Sequence, residues 1–152
     1  MDIDESTNVD ESTNVDVLTF DINDIITVTK FFRITQQILK ILLLLNKDYD
    51  NLLSIYNFID KIKFRDKNNI FMIVDGFINF IEKNINHIIN DEIKTSEYII
   101  FSDDLEINIG ALLSLCTNQT KKQIKILLLQ IAKLFYKNQI MQNTITSEIN
   151  RI

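Results

Sequence analysis

Residues 70–89 read IFMIVDGFINFIEKNINHII, and the fold turns on how this stretch is read. Up to Phe80 it is apolar on nearly every side, interrupted by Asp75, Gly76 and Asn79. A helix that is apolar almost all round must be enclosed by other elements, so the pattern predicts a central, deeply buried helix. The chain on both sides supplies candidates to enclose it.

Upstream, Ile25, Ile26, Val28, Phe31, Phe32, Ile34, Ile38, Leu39, Ile41 and Leu42 recur at three- and four-residue steps, with Lys30, Arg33, Gln36, Gln37 and Lys40 between them. This is the period of an amphipathic helix over roughly 24–46. Residues 48–50 offer N-cap candidates for a second helix, in which Leu52, Leu53, Ile55, Tyr56, Ile59 and Ile62 keep the period to about Phe64. A polar break at 65–69 precedes the central helix. Downstream, 91–101 reads as an extended connection. Asp103 followed three positions later by Glu106 resembles a capping box, which predicts a helix over 104–117. Thr117 and Asn118 interrupt it. Thr120 then caps a fifth helix, built on Ile124, Leu127, Leu128, Ile131, Leu134 and Phe135, that runs to about Gln142. The expectation is an all-α, single-domain bundle of about five helices over 21–142, with a frayed C-terminus at 143–152.

The first twenty residues belong to another class. A tandem DESTNV, at 4–9 and 10–15, gathers carboxylates, hydroxyls and amides with few bulky side chains. Such a segment cannot bury enough surface to offset its chain entropy, which predicts a disordered acidic tail over 1–20. Ser6, Thr7, Ser12 and Thr13 lie beside carboxylates, as in acidic kinase substrates.

Composition narrows the function. With 152 residues the chain is long enough for one sizeable core. Ile, Asn, Lys, Phe and Leu are abundant while Gly, Ala, Pro and Arg are scarce, the bias of an AT-rich genome of the kind large DNA viruses carry. A single cysteine rules out an intramolecular disulfide, and no secretory signal opens the chain; the expected location is intracellular, in the cytoplasm. The net charge of −5 argues against broad binding of nucleic acid. The longest uninterrupted apolar run, 41–45, falls far short of the roughly 20 residues of a transmembrane helix.

Catalytic chemistry finds few carriers. Cys116 falls near the end of a predicted helix, where the dipole disfavours a thiolate, and His87 is the only histidine. Asp103, Asp104 and Glu106 lack the spacing of a calcium loop, and zinc ligands are missing. With only Gly76 and Gly110 there is no phosphate-cradling glycine loop. Lys121, Lys122, Lys125, Lys133 and Lys137 fall mainly along the fifth helix and read as a solvated basic face opposite its apolar stripe. No catalytic residue, cofactor, metal or small-molecule substrate is expected. A non-enzymatic protein–protein interaction or structural module is, acting through another protein or through self-association.

One stretch adds a second reading. Phe101, Asp103, Asp104 and Leu105, followed by Asn108-Ile109-Gly110-Ala111-Leu112-Leu113, is similar to the first homology region of the B-cell-lymphoma family of apoptosis regulators. There an acidic turn leads into Asn-Trp-Gly-Arg and an apolar central helix; here Ile109 stands in place of the Trp and Ala111 in place of the Arg. The resemblance implies a groove that receives an amphipathic partner helix, with Asn108, Gly110, Ala111 and Leu112 as contacts. A glycine within a helix costs roughly 1 kcal/mol relative to alanine, so Gly110 is expected to permit the close approach of another helix, from this chain or from a partner.

Overall fold

A computed structural model describes residues 17–152, so the tandem DESTNV segment lies outside the described residues. Among these, the chain is predominantly helical: α1 (Ile25–Leu43), α2 (Tyr49–Lys61), α3 (Lys67–Ile89), α4 (Ile109–Ser114), α5 (Asn118–Phe135) and α6 (Gln139–Arg151), with a two-stranded antiparallel hairpin, β1 (Ile99–Ser102) and β2 (Leu105–Ile107), between α3 and α4. The all-α expectation holds, with six helices rather than five.

Each boundary has a local cause. Asp24 caps α1 by accepting from the Ile26 amide (3.2 Å) and from the Thr27 hydroxyl (2.8 Å). Asn46 and Asp48 have positive φ and turn the chain into α2, a conformation that Asn and Asp tolerate better than other side chains. The Thr117 hydroxyl accepts from the Thr120 amide and starts α5, and the Asn138 side-chain Oδ1 accepts from the Ile140 and Met141 amides to start α6.

Residues 70–89 are helical as expected, but the helix is buried along one broad face rather than all round, with Phe71 56% exposed. α3 buries Ile70, Ile73, Val74, Phe77, Phe80, Ile81, Asn84, Ile85 and Ile88, a face wide enough to meet several neighbours. Around it an aromatic cluster forms the centre of the core: the fully buried Phe31 ring of α1 lies 5.5 Å from Phe77, 5.9 Å from Phe135 and 5.4 Å from Phe20. Residues 17–20, expected to belong to the disordered tail, are instead packed on the core: Leu18 is buried and bridges Tyr136, the Phe20 ring joins the aromatic cluster, and the Thr19 amide donates to the Phe135 carbonyl at 3.0 Å. Gly76 lets the hairpin cross α3 closely, since a Cβ there would meet the Phe101 ring and the Ile100 carbonyl.

Three further expectations are corrected. Asp103 and Asp104 are the turn of the hairpin rather than the start of a helix over 104–117, and Glu106 lies in β2 opposite Ile100. The strand signal was the period-two burial of β1, with Ile99 and Phe101 inward and Ile100 and Ser102 outward. The fifth helix ends at Phe135, and the residues expected to fray at 143–152 form most of α6, anchored by fully buried Ile145. Lys125 is no part of a solvated face: its side chain is 6% exposed.

Candidate functional site

Of the residues singled out by the resemblance, Gly110 and Leu112 are packed from within the chain, whereas Asn108 borders an open pocket and Ala111 is half-exposed. Gly110 is buried against the 94–97 loop: its amide donates to the Glu97 carbonyl at 3.0 Å, and a Cβ would run into the Lys94 carbonyl. Leu112 is buried in the core, and the Ala111 carbonyl accepts from the Ser114 hydroxyl at 2.6 Å. Asn108 is half-buried, with an Oδ1 that is shielded from solvent and makes no hydrogen bond. Close approach at Gly110 is real, but the approaching element is the 94–97 loop of this chain rather than a helix. The helix after Asn108 is six residues long, against the long apolar helix the resemblance implies.

The remaining chemical candidates have structural partners. Asn84, fully buried, donates from Nδ2 to the Phe80 carbonyl (3.1 Å) and to Glu97 Oε1 (3.0 Å), which leaves its Oδ1 facing His87 Nδ1 at 3.3 Å. Glu97 also pairs with Lys83 at 3.2 Å; the Asn84 hydrogen bond, then Lys83, pull its carboxyl below the usual carboxylate range. The Cys116 thiol donates to the Leu112 carbonyl, and burial pushes its pKa up, away from a reactive thiolate. Among the described residues no group of three or more His, Cys, Asp or Glu is placed to hold a metal ion.

Sequence reasoning missed the cation at the centre of a second internal network. Lys125 Nζ reaches the Ile89 carbonyl (2.8 Å), Asp91 (3.1 Å) and Glu148 Oε2 (2.7 Å), and so ties α5 to the end of α3 and to α6. Hydrogen bonds from Arg151 and Lys125 hold the Glu148 carboxyl at about 2. The signal was present: Lys125 falls on the helical stripe of Ile124, Leu128, Ile131, Ala132 and Phe135, the buried face of α5. Beside it a cavity of about 160 Å³ opens between Ile88, Ile93, Leu113, Ile124 and Leu128.

The outward face of α5 differs. Ile41 of α1 and Ile126 and Leu127 of α5 line an open furrow whose rim is Gln37, Lys40 and Gln123. Phe31 and Phe135 meet at one end of the pair while Ile41 and Gln123 share the furrow nearer the other, so α1 and α5 lie antiparallel. One turn beyond Ile41, Leu44 stands 85% exposed. This apolar furrow between two long helices is the candidate interaction surface. No protein-family model, curated protein or solved structure matches the chain.

Proposed function

We propose that this chain is a non-catalytic helical interaction module, working inside the cell, whose contact surface is the α1–α5 face. The observation that carries the reading is the furrow of Ile41, Ile126 and Leu127, with Leu44 exposed one turn beyond Ile41. Apolar side chains left in contact with water at the junction of two helices gain on being covered, by roughly 25 cal/mol per Å² of apolar surface removed from solvent. A furrow between parallel or antiparallel helices accepts a third helix by ridge-into-groove packing. The polar networks at Glu97 and Lys125 have structural partners, which fits their role as ties between elements.

The test is site-specific photo-cross-linking in cells. A photoreactive side chain at Gln123, on the furrow, is expected to trap protein adducts, either a second copy or another chain. The same group at Glu82, exposed on α3, is expected to trap none. Introducing Ile41→Glu with Leu127→Glu should remove the Gln123 adducts while circular dichroism shows the fold retained. Equal trapping at the two positions, or none from Gln123, overturns the reading.

A further inference from the structure

The two helices that make the furrow carry charge of one sign. α1 holds Lys30, Arg33 and Lys40 and no Asp or Glu across 19 residues; α5 holds Lys121, Lys122, Lys125 and Lys133 and no Asp or Glu across 18. In a chain with 21 acidic and 16 basic residues this segregation is a property of the pair, and it opposes the overall charge. Lys125 is spent on the internal network. Lys30, Arg33, Lys40, Lys122 and Lys133 are exposed, and among the described residues none of them forms an ion pair. The carboxylates recorded against α1 are Asp24, which caps its start through the Ile26 amide and the Thr27 hydroxyl, and Asp60 of α2, which accepts from Gln36 at 3.3 Å; Lys40 Nζ lies 5.9 Å from the Tyr56 ring centroid.

We infer that the occupant of the α1–α5 face is an acidic amphipathic helix of another protein, its apolar side in the furrow and its carboxylates against the flanking cations; this rests on the interaction-module reading above. Charge complementarity decides the sign. A second copy docking through the same face would bring cation against cation, which costs association. Shape disfavours a bilayer: Ile41, Ile126 and Leu127 are half-buried and only Leu44, one turn beyond Ile41, stands out, whereas insertion into the headgroup region needs several apolar side chains that project. Nucleic acid would meet an apolar floor with no exposed aromatic ring on which to stack bases.

The experiment is fluorescence anisotropy with the full chain and a labelled helix of about 18 residues, leucines at three- and four-residue spacing on one side and glutamates on the other. Binding is expected, weakening as salt rises. Lys40→Glu with Lys122→Glu should weaken it by at least about tenfold, and a lysine version of the helix should bind that variant better than the wild type. Arg33→Glu with Lys133→Glu repeats the test toward the other end of the helix pair, so that a folding defect in one pair does not decide the matter. Absence of binding, or binding that charge reversal leaves unchanged, overturns the inference. So does a charge-dependent gain for phosphatidylserine vesicles or a DNA duplex with no gain for the acidic helix. If Gln123 still traps adducts while the acidic helix fails, the interaction module stands and the chemistry of its partner is wrong.

Discussion

α5 has two faces that handle the same residue type in opposite ways. On the inner face Lys125 is 6% exposed and satisfied by Ile89, Asp91 and Glu148. Three residues earlier, on the outer face, Lys122 is exposed, and neither α5 nor its neighbour α1 contains a carboxylate. The inner charge is part of the fold, because a buried ammonium without counter-ions would not remain charged in a core. The outer charges are held in water at little cost and remain free to act on another molecule. A lysine's role therefore follows from its place on the helical wheel rather than from its count.

The largest effect should come from breaking the inner arrangement. Lys125→Met leaves Asp91 and Glu148 without their shared cation, and removing one partner of a buried pair costs about 3 kcal/mol, with Arg151 compensating in part at Glu148. Chemical denaturation should show the midpoint shift, and Glu148→Leu added to Lys125→Met should recover some of it. Next in size is Gly110→Ala. The gain in helix propensity of about 1 kcal/mol is outweighed by the collision with the Lys94 carbonyl, and overpacking of this kind costs about 2 kcal/mol, readable as a lower Tm.

Acid should unpick the inner face before the outer one. The Glu148 carboxyl, at about 2 in the folded chain, lies below its ordinary unfolded value near 4.3. The folded state then binds fewer protons than the unfolded one, so the contribution of Glu148 is complete above about pH 4.3 and is lost as pH falls towards 2. Glu97, lowered by Asn84 and Lys83, acts in the same direction. Glu148→Gln should flatten the acid limb of stability against pH, measured by denaturation midpoints between about pH 6 and pH 3. The smallest effect on stability belongs to the outer face: Lys122→Glu should stay within about 0.5 kcal/mol of wild type, as exposed substitutions do.

Much of the fold was legible because helical periodicity is repeated over many residues. The sequence range 24–46 became Ile25–Leu43, and 70–89 became the core of Lys67–Ile89. The hairpin was misread because Asp103-x-x-Glu106 satisfies both a capping box and an acidic turn, and only the alternation of Ile99 and Phe101 against Ile100 and Ser102 separates them. α6 was misread because a mostly polar sequence hides its anchor. Met141, Ile145 and Ile149 repeat every four residues, yet Ile145 alone is buried. Gly110 was legible as a point of close approach, but the approaching partner was not, since no local pattern encodes contact with the 94–97 loop. The furrow escaped for the opposite reason: it depends on two helices about 80 residues apart in sequence lying side by side, and only the absence of acids from both hinted at a shared face.

The central claim, that the α1–α5 face meets other proteins while the region around Gly110 is committed to the chain's own packing, is tested most directly by amide chemical-shift mapping. An isotope-labelled chain is titrated with the acidic helix. The shifts are expected to gather in residues 30–43 of α1, in Leu44 and in 119–134 of α5, leaving 94–97 and 108–112 unmoved. Shifts centred on 108–112 with α1 and the outer face of α5 undisturbed would contradict it.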